Sequence, residues 1–89
     1  MQKRSYSKSI EVFYGVSSPI VEDLIHYLID SNFDIKDLPP EFRARPIIVT
    51  PHRVEIEIKG GIVVTIIMRK RLVSLIVEES SRKGEIKVK

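Results

Sequence analysis

A chain of 89 residues is long enough for one domain, in which one sheet is covered by one or two helices. A hydrophobic share of 43% argues against a disordered chain, and the lack of cysteine excludes disulfide staples and thiolate metal sites. The net charge of +3 hides a division: residues 21–41 carry six acids against Lys36 alone, a net of −5, which leaves +8 on the rest. That segregation reads either as one face suited to an anionic partner and another suited to a basic one, or as ordinary solvated surface.

Abundant Ile and Val beside many charges fit an intracellular, cytoplasmic protein and point toward a thermophile. Residues 1–9 are basic and polar, without the apolar run of a signal peptide, and no apolar stretch is long enough to span a bilayer. Residues 1–7 are expected to form a mobile basic arm and residues 84–89 a basic tail, so that 1–89 is a single domain.

In chain order, Ile10, Val12 and Tyr14 alternate with Ser9, Glu11 and Phe13, which predicts a strand over 8–16. Ser18 is a good N-cap residue and Pro19 suits the first helical position. Val21, Leu24, Ile25, Leu28 and Ile29 then form one apolar stripe at helical spacing, and Asn32 can take the left-handed position that ends the helix, with Phe33 packing back. Residues 34–46 have no period and contain Pro39, Pro40 and Pro46, so a long connection is expected, anchored by Ile35, Leu38 and Phe42.

Residues 47–50 can start a strand that Pro51 interrupts. Residues 53–59 alternate Val54, Ile56 and Ile58 with charged residues, and Gly60-Gly61 reads as a two-residue hairpin turn. That turn predicts Ile58 opposite Val63, Ile56 opposite Thr65 and Val54 opposite Ile67. The return strand is apolar on both faces and is expected to lie centrally. Residues 70–83 admit two readings. A strand fits the β-branched run 72–77, but no Gly, Pro or Asn separates it from the preceding strand. A helix is preferred, with Leu72, Leu75, Ile76 and Glu79 on one side and Gly84 just past its end. The expected fold class is therefore α+β: a small antiparallel sheet with one or two helices on one face, in the order β-α-β-β-α, the last element alternatively a strand.

Catalytic patterns are missing. No HExxH, GxSxG, GxGxxG or P-loop spacing occurs. His26 with Glu22 and Asp30 forms an i−4, i, i+4 set that suits a metal, or else a solvated acidic helix face. His52 reads as a turn residue, and capping accounts for Ser18. Glu55 and Glu57 share a strand face as paired carboxylates would, although Arg53 and Lys59 beside them fit plain surface charge. The expectation is a protein that is not an enzyme and uses no cofactor and no metal.

Basic clusters recur: Lys3-Arg4, Arg43 with Arg45, Arg69-Lys70-Arg71, Arg82-Lys83, and Lys87 with Lys89. Phe42 beside Arg43 offers a stacking ring next to a phosphate binder. The candidate nucleic-acid residues are Phe42, Arg43, Arg45, Arg69, Lys70, Arg71, Arg82 and Lys83. On the expected register, Ile62, Val64, Ile66 and Met68 share a face with Arg53, Glu55 and Glu57, and they are the candidate interface.

The order of elements resembles the small dimerisation subunit of the KEOPS complex, which makes threonylcarbamoyladenosine on tRNA. The resemblance spans about residues 8–83. It rests on Ile10-Glu11-Val12 before the helix at 21–29, the Asn32 to Leu38-Pro39 loop, the hairpin at 54–66, and residues 72–77 entering a last helix that is short here. It implies a non-enzymatic subunit that pairs through its sheet edge with itself or a paralogue, docks on a catalytic subunit through its helices and assists tRNA binding. A homo- or heterodimer within a protein complex, with tRNA or another nucleic acid as partner and no membrane, is the resulting expectation. The alternatives are a protein-interaction adaptor without a nucleic-acid role, such as an accessory subunit of a polymerase or a viral protein, and a small enzyme or ligand-binding domain of ferredoxin-like form.

Overall fold

A computed structural model of the chain describes residues 8–80. It contains β1 (Ser9–Tyr14), α1 (Pro19–Asp30), β2 (Arg45–Val49), β3 (Arg53–Ile58), β4 (Ile62–Met68) and β5 (Leu72–Glu79), with a short 3₁₀ turn at Pro40–Phe42 before β2. The strands form one sheet in the order β1-β5-β4-β3-β2. Neighbours from β2 to β5 are antiparallel, while β1 runs parallel to β5. The fold is α+β, but its order is β-α-β-β-β-β and its sheet is mixed rather than antiparallel. The expected arm (1–7), tail (84–89), Arg82 and Lys83 lie outside the described residues.

The helix expected over 70–83 is overturned: residues 72–79 are β5. Val73, Leu75 and Val77 are fully buried at a period of two, a pattern a strand satisfies and a helix does not. The link from β4 is a tight turn over Lys70 and Arg71, closed by the Arg69 N–H donating to the Leu72 carbonyl at 3.0 Å. Neither turn residue has positive φ, so the turn demands no Gly or Asn.

The hairpin register also differs. Ile58 pairs with Ile62, Ile56 with Val64 and Val54 with Ile66. Lys59 joins Gly60 and Gly61 in the loop, and both glycines have positive φ, 90° and 73°. Because side chains alternate strictly, this one-residue change exchanges the two faces of β4. Ile62, Val64 and Ile66 therefore point under the helix, where Val64 and Ile66 are fully buried. They line no open face, and Met68 is only half-buried against the same core. The expectation that β4 lies mid-sheet holds, since it is the third strand of five.

Helix α1 begins at Pro19, with Ser18 as its cap residue in extended conformation. The Ser18 hydroxyl makes no capping bond and is a buried oxygen without a partner. At the other end Asn32 and Phe33 both adopt left-handed φ, 59° and 62°. The Phe33 N–H returns to the Leu28 carbonyl at 2.6 Å and the Asn32 N–H to Ile29 at 3.2 Å, which satisfies carbonyls the helix leaves open. Val21, Leu24, Ile25 and Leu28 are buried in the core, while Ile29, the last residue of the stripe, stays 42% exposed. Their partners are Val54, Ile56 and Ile58 of β3, Ile62, Val64 and Ile66 of β4, and Val73, Leu75 and Val77 of β5. Each fully buried aliphatic side chain contributes roughly 1.5–3 kcal/mol.

The connection from α1 to β2 is anchored as expected by Ile35, Leu38 and Phe42. The Lys59 N–H donates to the Phe42 carbonyl at 2.9 Å, and the Tyr27 hydroxyl donates to the Asp37 carbonyl at 3.1 Å. Gly15 closes β1 at a point where a Cβ would come within 2.7 Å of the Val77 carbonyl oxygen, so no larger residue fits without a shift.

Candidate nucleic-acid interface

One end of the sheet gathers side chains that are remote in sequence. Residue 8 enters β1 there, the β2–β3 turn brings Pro51 and His52, and the β4–β5 turn brings Arg69, Lys70 and Arg71. Backbone bonds tie the three segments together: the Ser9 N–H donates to the Arg71 carbonyl at 2.9 Å, and the Met68 N–H to the His52 carbonyl at 2.8 Å. A shallow concavity of about 580 Å³ lies among Lys8, Pro51, His52, Ile67, Met68, Arg69 and Lys70. Lys8, His52, Arg69, Lys70 and Arg71 are all exposed.

Among the described residues, Lys8, Lys70 and Arg71 form no ion pair. Arg69 is held by a short polar chain. Its guanidinium donates to Ser74 Oγ at 3.1 Å, and Ser74 Oγ donates to Glu11 Oε2 at 2.5 Å. Ser74 is 3% exposed, so this link is sheltered on an otherwise open face. Arg53, on the same margin, is taken up by Glu55 through two hydrogen bonds of 2.9 and 2.7 Å. The margin as a whole can hold an anion such as phosphate.

The remaining candidates are elsewhere. Phe42 is 3% exposed and its ring lies 6.3 Å from that of Tyr27, tilted by 56°, so it is a core residue and offers no face to a base. Arg43 caps the 3₁₀ turn in left-handed conformation, with φ 51°. Arg45 reaches Glu57 at 2.6 Å. Arg45 pairs with the far end of β3, whereas the Arg69 turn lies beside its beginning, so a strand length of roughly 20 Å separates the two groups. Among the described residues, those expected to bind together are thus split in space, and of them only Arg69, Lys70 and Arg71 share a site. Lys8 and His52, which complete that site, were missed because they reach it only through the parallel β1–β5 pairing and the short turn before β3.

Glu55 and Glu57 each face an arginine rather than one another, which leaves no free carboxylate pair between them. Among the described residues no group of three His, Asp or Glu side chains converges on a metal position, the Glu22, His26 and Asp30 set included. Tyr14 is half exposed, and its phenol is pushed above the usual range by partial burial and then by the Glu22 carboxylate that its hydroxyl meets. No helix among the described residues is long and apolar enough to cross a membrane. The described residues form a five-stranded mixed α+β sheet with a single helix on one face and a basic margin. No protein-family model matches the chain, and neither a curated protein nor a solved structure matches it.

Proposed function

We propose that the protein is a non-enzymatic subunit of a cytoplasmic nucleic-acid-processing complex that contacts phosphate through the basic end of its sheet. The observation that carries this reading is the meeting of Lys8, His52, Arg69, Lys70 and Arg71 on one margin, with Lys8, Lys70 and Arg71 unpaired among the described residues. The resemblance to the KEOPS dimerisation subunit narrows the substrate to tRNA and adds pairing with a second chain through a sheet edge. With β5 in place of a last helix, α1 is the helix left among the described residues to dock on a catalytic subunit.

The test is tRNA binding followed against salt. Contact through these cations gives a linear fall of log affinity with log salt, and each lost phosphate contact lowers the slope by about 0.7–0.9. The triple substitution Arg69→Gln, Lys70→Gln, Arg71→Gln is expected to reduce the slope by about 2 and to leave the unfolding midpoint near that of the parent. An unchanged slope rejects the reading.

A second reading, a protein-interaction adaptor, is favoured by one feature. A mainly apolar groove of about 370 Å³ runs beside β2, lined by Ile35, Leu38, Pro39, Pro40 and Val49 together with Lys36 and Arg43. In that case substitutions of Asp23, Asp30 and Asp34 remove partner binding while those at Arg69 and Arg71 do not.

A further inference from the structure

The two edges of the sheet are built differently. β2 is a guarded edge: Pro46 has no N–H to offer, the register slips between Pro46 and Ile48, and Pro51 follows closely. β1 has none of these devices. Its six residues contain no Pro, no Gly and no bulge, and its one charged side chain, Glu11, is engaged by Ser74. It exposes Ile10 by 37%, Phe13 by 53% and Tyr14 by 48%.

The direction of the β1 backbone follows from two bonds. The Ser9 N–H donates to Arg71 and the Gly15 N–H to Val77, so the odd-numbered residues turn their backbone groups toward β5. Backbone groups alternate sides along a strand. Ile10, Val12 and Tyr14 therefore aim N–H and C=O away from the sheet.

The geometry points to a second copy of this chain as the occupant of that edge, paired antiparallel about a two-fold axis with Val12 opposite the partner's Val12. The inference rests on the proposed pairing of chains and goes beyond it in naming the strand and the register. One edge meeting its own copy antiparallel closes on itself as a dimer, whereas a parallel meeting would not be two-fold. Outward-facing residues must meet outward-facing residues, so only even-numbered positions oppose one another in bonded pairs. Centring on Val12 sets Ile10 against the partner's Tyr14 twice over and allows about six N–H···O=C bonds. Centring on Glu11 would set two carboxylates directly opposite, which is unfavourable. Centring on Phe13 would push Ile10 past the end of the partner's β1. The chosen register makes one continuous sheet of ten strands with both copies of α1 on the same side. It covers the apolar side chains of β1 that are bare in a single chain. A lone strand pair buries less than the roughly 800 Å² per partner of a standard interface, so a weak dimer is expected, with dissociation at about micromolar concentrations.

The full chain is to be weighed by sedimentation and light scattering at about 1–500 μM protein, a span chosen about that range, with circular dichroism to verify folding. Wild type is expected to reach twice the chain mass of 10.3 kDa. Ile10→Lys with Tyr14→Lys opposes like charges and is expected to shift the midpoint at least tenfold toward monomer. Ile10→Lys with Tyr14→Glu is expected to restore the dimer, because in this register alone residue 10 meets the partner's residue 14. The chain lacks cysteine, so Val12→Cys is a clean probe: mild oxidation should yield a covalent dimer, and Val49→Cys on the other edge should not. A wild type that stays at 10.3 kDa throughout, charge variants that dissociate alike, or cross-linking at residue 49 in place of 12 each overturn the inference. A monomer that still binds tRNA with full salt slope sinks this pairing and spares the basic-end reading; a dimer without tRNA affinity does the reverse.

Discussion

On the helix side of the sheet, Val64, Ile66, Val73, Leu75 and Val77 have no exposed surface at all, and they belong to one apolar core cluster. On the opposite side the same strands carry Arg53 with Glu55, Glu57 with Arg45, and the chain from Arg69 through Ser74 to Glu11, among half-buried Val63, Ile67 and Ile76. Both sides are drawn from one run of alternating residues. The covered side is held by exclusion of water, which is non-directional and scales with area. The open side is held by paired polar groups whose net contribution is small while water can reach them. Stability in this protein should therefore track the covered side, and ligand contact the open side and its margins.

Phe42 gives the largest test of that division. Phe42→Ala is expected to cost about 3–5 kcal/mol in denaturant unfolding, as a buried aromatic does, and to change tRNA affinity only through the folded fraction. Ile66→Ala should cost about 2–5 kcal/mol, while Ile67→Ala, one residue on but on the open side, should cost about 1 kcal/mol. Equal losses at 66 and 67 would show that the open side is also a closed core, covered by another chain. Ser74→Ala comes next, at about 1–3 kcal/mol, since it strands a sheltered carboxylate and a guanidinium from their common partner. The same change should weaken anion binding by loosening Arg69, and Ser74→Thr should recover part of it.

The smallest effect concerns Tyr14. Its folded phenol holds its proton above the usual range, so the unfolded chain ionises first as pH climbs. Tyr14 therefore adds stability that is complete below about pH 10 and fades above it. Tyr14→Phe should flatten the alkaline limb of the stability curve, which thermal melts across that range would record.

Much of the fold was legible from local chemistry. The strand at Ile10–Val12–Tyr14, the helix start at Pro19, the helical stripe and the left-handed Asn32 all follow from short-range rules, and the structure has them, although Ser18 sits at the cap position without the side-chain bond expected of it. The hairpin was legible in existence but not in phase, because Gly60-Gly61 marks a turn without saying whether Lys59 belongs to the strand or the loop. β5 was hidden by a turn over Lys70 and Arg71 that uses ordinary negative φ and so needs no signature residue. The basic margin was half legible. Arg69, Lys70 and Arg71 are adjacent in sequence, whereas Lys8 and His52 arrive by pairings that no local pattern encodes. Phe42 was misplaced because a ring beside an arginine in a proline-rich loop looks the same whether it turns outward to a base or inward to Tyr27.

Among the described strands, the first, β1, finds its place only against the last, β5. Glu11 meets Ser74 across 63 positions, and every rung of the β1–β5 ladder spans a comparable interval. Contacts of such long sequence separation meet their loop-closure cost late, so the β2–β5 meander can assemble while β1 waits. During synthesis β1 stays unmated until Leu72 and its successors have left the ribosome. Even a brief truncation before β5 would leave Ile10, Val12 and Phe13 as an adhesive ribbon with no home in its own chain.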